Sequence, residues 1–527
     1  MYLVEVSQLP DKKTGVPRTV IIGAGAVGLY TAGQLAKRGR QVVLIEAGDS
    51  QLSSFSSDSW RSIGRSHSGI RLGRGRNLGG TTSLWGGQLV EFQPIDFAGR
   101  DWLPGSKWPV RYEELAPYYT PTYLNLGMSS KILKDDDVWR GVGTRQPNLG
   151  PDFEVFLTRW LGIPNFASLF AEQIHSDPNL LVLASHTAVG FSGNGARMER
   201  VRVVDNRNRQ HTIEGDTFLL AAGTIENARL LLHAARDPQW LAPWRENKNV
   251  GLYFQDHLAG DLGAFHPADK RTFFRTFANI IHARHKFQPK IRMRNEVLVR
   301  ERIYNIHGFF AFESEISEHM VFLKQFLRAA LYTRKLTGVG DLFRKSTGIV
   351  RFLLPLMWKY VWDHRIFVPT TSKTRLVAQG EHAPSPSSRI TIDNSFTEAS
   401  GLPRVILDWR LGEDELPALR DFAVQLRDAL RTAGIGELKL DEDLLTLNPA
   451  FLDRMGDIYH NSGGAIMGES DQDGVVDKDL RVFGTDNFYI GGASVFRTTS
   501  NANVTFTALA FATRLVDHLT GTPAFDS

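Results

Sequence analysis

A chain of 527 residues, 42% hydrophobic and 22% charged, has the balance of an ordinary globular protein, which excludes disordered and collagenous classes and predicts roughly two to four domains. Cysteine is absent, so disulfides, thiolate zinc sites, cysteine-ligated clusters, a cysteine nucleophile and a cysteine-tethered flavin are excluded. A formal charge of +4 is small for this length and argues against nucleic acid as a partner.

The first element in chain order is a short apolar run, Thr19–Ile22, followed by Gly23-Ala24-Gly25-Ala26-Val27-Gly28. Residues Leu29 to Arg38 then carry helical spacing, Gly39 ends them, and a second apolar run, Val42–Ile45, finishes at Glu46 and Ala47. Strand, glycine turn, helix, strand and acid is the order of a dinucleotide-binding βαβ unit. Gly23 permits the tight turn, Gly25 lets the backbone approach a pyrophosphate, and Gly28 lets helix and strand pack closely. Glu46 is placed to accept from an adenosine ribose hydroxyl, and its charge disfavours NADP. The motif alone does not say which dinucleotide binds.

Gly, Arg, Thr and Ser dominate from Arg71 to Gly87, and the stretch Leu78-Gly79-Gly80-Thr81-Thr82-Ser83-Leu84-Trp85-Gly86-Gly87 reads as an ordered loop on a ligand. Aromatics, prolines and charges from Pro94 to Leu126 suggest surface segments entering a second domain. Strands are expected from Leu180 to Ile213 around a Gly-Asn-Gly turn, and Phe218 to Leu231 reads as a buried strand meeting a helix at Gly223, after Ala222. Asn249 to His257 opens an excursion into the second domain, where strands at Ser388–Ile392 and Arg404–Trp409 precede a helix from Asp414 to about Gly434.

Between Val321 and Arg365 nine Lys and Arg stand against Asp341 and Asp363, a local balance of 9 − 2 = +7 that leaves about −3 for the rest. Large apolar residues accompany them, including Phe352, Leu354, Trp358 and Trp362, so peripheral contact with an anionic membrane is one reading and a solvated helical cover the other. No secretory leader is expected at Met1–Val16 and no run of about 18 apolar residues is present; a cytoplasmic protein, with the insert as its one membrane contact, is the expectation.

The C-terminal segment holds the strongest constellation: Tyr459-His460-Asn461-Ser462-Gly463-Gly464, then Ile490-Gly491-Gly492-Ala493-Ser494, then Asn501-Ala502-Asn503-Val504-Thr505 and a helix from Ala508 to Leu519. An imidazole has the pKa to take a hydroxyl proton near neutrality while a carbon gives up hydride, and His460 stands before a glycine-rich turn where its ring can reach a cavity.

With LGGTTSLWGG, LLAAGTIENARLLL and GGASVFRTTSNANVTFTALA beside the N-terminal glycine motif, the chain resembles the glucose–methanol–choline (GMC) family of flavoenzymes. The resemblance implies FAD and an α/β fold: a Rossmann-like FAD-binding domain from residues 1–108, 180–260 and 455–527, with a discontinuous α+β substrate domain on a mostly antiparallel sheet from 109–179 and 261–454. It implies His460 as the catalytic base with Asn503 as its partner, and FAD contacts from Gly23, Gly25, Ala26, Val27, Gly28, Glu46, Ala47, Gly79, Gly80, Thr81, Thr82, Leu84, Trp85, Gly86, Gly87, Val189, Ala222, Gly223, Gly492, Ala493, Asn503, Val504 and Thr505. Leu84 occupies the position of a histidine that tethers FAD in some members, so the cofactor should be non-covalent. Arg497 stands where proline is usual and reads as a surface arginine or loop cap, with substrate or phosphate contact as the alternative.

The expected activity is FAD-dependent oxidation of an alcohol, of a sugar or sugar-containing compound because Glu381–Ile392 and His460–Gly468 are similar to sugar-acting members. A lipid, sterol or aryl alcohol, or non-redox lyase or decarboxylase chemistry, are the alternatives. The electron acceptor, whether oxygen, quinone or protein, is left open. No metal is expected: Asp471-Gln472-Asp473-Gly474 reads as a turn, and His282 and His285, spaced as on a helix, lack a third ligand.

Overall fold

The computed structural model describes residues 6, 9, 15–53, 55–313 and 363–522. Five parallel strands form the nucleotide-side sheet, in the order Phe488–Ile490, Thr217–Leu220, Arg18–Ile22, Gln41–Ile45 and Leu180–Leu183. Arg18–Ile22 and Gln41–Ile45 are buried at every position, as continuous apolar strands covered on both faces must be. The helix Ala26–Lys37 connects them and packs on the C-terminal helix Val504–Thr520, which starts four residues earlier than its apolar pattern suggests.

The second body is a nine-stranded antiparallel sheet in which Phe153–Trp160, His285–Met293, Ile306–Glu313, Lys373–Gly380 and Leu258–Pro267 are successive neighbours. It draws Gln88–Leu89 and the start of Leu258–Pro267 from segments expected on the nucleotide side. A third sheet joins the two bodies, because Trp60–Gly64 pairs in parallel with Pro403–Trp409. The mixed α/β architecture with one parallel and one antiparallel sheet is the expected fold class.

Three adjacent parallel strands, Phe488–Ile490, Thr217–Leu220 and Arg18–Ile22, each end in a glycine turn: Gly491-Gly492, Ala222-Gly223 and Gly23 to Gly25. Their carboxyl ends therefore lie side by side, the place where open α/β sheets bind ligands.

One expectation changes. His282 and His285 flank the two-residue turn of a hairpin, with Ala283 and Arg284 both at positive φ (48° and 66°), so they are cross-strand neighbours and not on a helix. Most of the basic insert 321–365 lies outside the described residues. Of its nine cations, Arg365 lies among the described residues; it is buried and donates to the Arg275 carbonyl and Thr144, so it does not belong to a headgroup-facing surface. Among the described residues no helix is long and apolar enough to cross a membrane.

Candidate active site

A cavity of about 710 Å³ lies at those three strand ends and reaches the antiparallel sheet. Of the residues expected around FAD, its wall contains Gly23, Gly25, Ala26, Val27, Glu46, Ala47, Gly80, Thr81, Thr82, Leu84, Trp85, Gly86, Ala222, Gly223, Gly492, Ala493, Asn503, Val504 and Thr505, together with His460. Gly28 stands behind the wall, where a Cβ would lie 1.8 Å from the Gly23 carbonyl oxygen; only glycine allows this helix to sit so close to its strand. Gly79 and Gly87 are also off the wall and shape the loop through positive φ values of 93° and 78°.

Val189 is not part of the cavity. The pairing of His186–Asn194 with Arg197–Asp205 slips between Ala188 and Gly190, so Val189 falls on a β-bulge and packs on the hydrophobic core. His186, Thr187 and Ala188 form that part of the wall.

The cavity fits FAD on its own chemistry. Gly25, Gly223 and Gly492 line it, and a Cβ at any of them would meet no protein atom within 4 Å, so backbone lies bare where a pyrophosphate needs close approach. Glu46 accepts from the N–H groups of Ala24 (2.9 Å) and Gly48 (2.8 Å), keeping lone-pair capacity on each oxygen for ribose hydroxyls. Burial pushes its carboxyl up to about 7, a shift that hydroxyl donors would reverse by favouring the charged form.

At the other end the cavity contains the ring of His460. The Tyr253–Asp256 segment runs against Ser462–Gly464, with Gln255 and Ser462 exchanging backbone hydrogen bonds of 2.9 and 2.8 Å. Gly463, at a φ of 77°, makes that approach possible, since a Cβ there would lie 1.9 Å from the Tyr253 carbonyl oxygen. The consequence is that His257 meets His460, Nδ1 to Nδ1, at 2.7 Å. On the other side the Nδ2 of Asn503, at the N-cap of Val504–Thr520, lies 2.8 Å from His460 Nε2.

The tautomers follow from the acceptors. His257 Nε2 faces the carbonyl oxygens of Thr499 (3.0 Å) and Ser500 (2.8 Å), which can only accept, so that nitrogen carries the proton. His257 Nδ1 is then an acceptor, as its 3.1 Å contact with the Gln379 amide nitrogen also requires. His460 must donate from Nδ1, and its Nε2 is left with a lone pair, which accepts from Asn503 at the cavity wall. Burial, with smaller contributions from His257 and Lys290, holds His460 well below the usual imidazole pKa, and burial lowers His257 as well. Both rings are neutral at neutral pH. The carboxamide oxygen of Asn503 is buried with no hydrogen-bond partner among the described residues.

Asp256 sets the backbone of both histidines: its Oδ1 accepts from the N–H of His257 (2.7 Å) and of His460 (2.9 Å), and its Oδ2 lies 3.1 Å from His67 Nε2. His67, Asp256 and Asp457 are also the His/carboxylate cluster with metal-like spacing among the described residues. His67 Nδ1 already accepts from the Ile70 N–H, and the Asp457 oxygens accept from Ser68 and Gly69, so the cluster is an orienting network. Asp473 is likewise in a turn, where it pairs with Arg497. Arg497 is buried off the cavity wall and donates to Gly105, Met467 and Asp473, which makes it a clamp between loops, neither a surface residue nor a phosphate contact.

Sequence reasoning missed His257, Gln379, Gln88 and Trp160. Gln88 directly follows Gly86-Gly87, and His257 adjoins an acid, which are weak local signals. Gln379 and Trp160 have none.

Comparison with known proteins finds family matches near both ends of the chain and relatives that cover most of it. A family described as GMC oxidoreductase matches residues 384–512, and one described as FAD dependent oxidoreductase matches residues 18–116. The fructose dehydrogenase large subunit of Gluconobacter japonicus is 21% identical over 94% of this chain and 96% of its own. The 2-methyl-1,2-propanediol dehydrogenase of Mycolicibacterium austroafricanum is 23% identical over 84% and 80%. Among solved structures, pyridoxine 4-oxidase from Mesorbium loti has a TM-score of 0.58 at 17% identity, covering 95% of this chain and 99% of its own. A fungal aryl-alcohol oxidase reaches a TM-score of 0.57 at 15% identity over 97% and 99%.

Proposed function

Taking the chain as an FAD-dependent oxidoreductase of the GMC type that acts on CH–OH groups, we propose that it oxidises a hydroxyl of a sugar or sugar-containing compound, with His460 as base and Asn503 as its partner. FAD, when bound, supplies the two-electron acceptor for the hydride of the reacting carbon.

The observation that carries this reading is the unprotonated Nε2 of His460 at the cavity wall, with Asn503 as its hydrogen-bond donor. A substrate hydroxyl that displaces the Asn503 amide from this lone pair donates its proton to Nε2 and accepts from the Asn503 Nδ2–H in return. The Nδ1–H of His460 stays directed at His257, whose acceptor nitrogen supports the imidazolium that results. Asn503 cannot itself take the proton, which in this reading leaves the role of base to His460.

The cavity lining supports a polyhydroxylated substrate. Gln88, Gln379, Trp85 and Trp160 line it, a mixture of carboxamide and aromatic groups of the kind that suits a sugar ring. The fructose dehydrogenase relative points the same way. The test is to add sugars, polyols, sterols and aryl alcohols singly to the anaerobic, flavin-loaded protein. A reducing sugar or polyol should bleach the flavin absorbance; bleaching by sterols or aryl alcohols alone would remove the sugar assignment.

Leu84 at the cavity wall has no group that can bond covalently to a flavin, so the cofactor is held non-covalently in this reading. Acid precipitation is expected to release intact FAD to the supernatant, as mass spectrometry would show. Flavin retained by the precipitated chain would contradict the assignment.

A further inference from the structure

Behind the cavity, on the antiparallel sheet, Lys290 is buried, with its amine over the Phe309 ring at 5.1 Å from the centroid. Its Nζ lies 2.8 Å from His307 Nε2 and 3.4 Å from Gln88 Oε1, and both partners are uncharged groups. The other ends of this network reach the active site. Gln88 lines the cavity, and its amide nitrogen donates to Thr158 (2.7 Å) and Gln288 (3.0 Å), so its oxygen is turned to Lys290. His307 is the cross-strand partner of Gln379, which donates to His257, the ring that receives the Nδ1–H of His460.

We propose that Lys290 is a positioning residue for the catalytic histidine: its ammonium, held by His307 and Gln88 with no carboxylate partner among the described residues, opposes a second positive charge at His460 and so keeps His460 a proton acceptor in acid. The proposal rests on His460 being the base. Two basic groups 2.8 Å apart carry one proton charge between them, and burial and Lys290 together push His307 well below the usual imidazole range, so the charge resides on lysine. Burial alone lowers Lys290, to about 7. In the range below 6.5, where an ordinary histidine would take up a proton, Lys290 is therefore predominantly charged.

The other titratable groups facing this region act on different atoms. Asp256, with His67 behind it, holds the backbone N–H of His460; Glu381 is engaged by Arg100; His257 is neutral. Lys290 is thus the cation that bears on His460 from the sheet side, and its removal raises the proton affinity of that ring.

The test uses the flavin-loaded protein with ¹³Cε1-labelled histidine, comparing wild type, Lys290→Met and His307→Gln. In Lys290→Met the His460 signal, identified by its loss in His460→Ala, should titrate about one pH unit higher than in wild type. The acid limb of anaerobic flavin reduction should move up with it, about a tenfold loss of rate at the acid end and little change above neutrality. His307→Gln keeps an acceptor for the ammonium, so both measurements should stay at their wild-type positions. Unchanged His460 titration in a folded, flavin-loaded Lys290→Met would overturn the proposal, as would an equal shift in His307→Gln. If Lys290→Met does not fold, Lys290→Gln replaces it and is read the same way. If no alcohol reduces the flavin, the proposed function fails while the histidine titration still decides the role of Lys290.

Discussion

Replacing His460 by alanine is expected to leave a yellow, FAD-loaded protein whose flavin is reduced by its alcohol about 10²–10⁴ times more slowly, the range for losing a general base. Three features set the size of the effect. The nitrogen that faces the cavity is unprotonated because His257 accepts the proton of the other one. Asn503 is an amide and cannot replace it as a base. His257, the nearest other imidazole, is completely buried with both ring nitrogens engaged, so it offers no substitute. The alanine variant keeps the glycine turns and Glu46 at the other end of the cavity, which is why cofactor content should survive. Stopped-flow absorbance at equal flavin loading measures the loss, and reduction at the wild-type rate would take His460 out of the mechanism.

The second large effect is expected at a residue that lines nothing. Gly28→Ala places a methyl group 1.8 Å from the Gly23 carbonyl oxygen, a backbone atom that can move only if the turn and helix separate. Overpacking of this kind costs about 1–3 kcal/mol, and here the displaced atoms belong to the turn that exposes Gly25 to the cofactor. The variant should purify nearly colourless and melt earlier than wild type. A Gly28→Ala protein with full FAD content and an unchanged Tm would show that the close packing is dispensable.

Both positions were visible in the sequence for the same reason: each is a local pattern with a local cause. Gly23, Gly25 and Gly28 sit between an apolar run and a helical one, and the turn they form depends on residues within one βαβ unit. His460 precedes a glycine pair that the chain needs in order to bring Tyr253 close. What did not carry over were readings that depended on what a residue meets. Arg497, read as a surface arginine or a loop cap, is buried, holds the loop carbonyls of Gly105 and Met467 as a cap would, and pairs with Asp473. Val189, an FAD contact that the family resemblance implied, falls on a bulge in the strand pairing and packs on the hydrophobic core, off the cavity wall.

The amino-acid sequence by itself determined the strand–glycine-turn–helix–strand unit at the N-terminal end and, through the family resemblance, singled out His460 and Asn503 as the proposed base and its partner. The tertiary structure alone decided that they are 2.8 Å apart, that His257 directs the lone pair of His460 to the cavity, and that Gln88, Gln379 and Lys290 stand on the sheet above. Those contacts join segments 43, 203 and 122 residues apart, and one more of 202. Sequence periodicity reports which side of an element is apolar; it holds no information on which distant element that side will meet, because that is set by how the two sheets pack and by the register in which their strands pair.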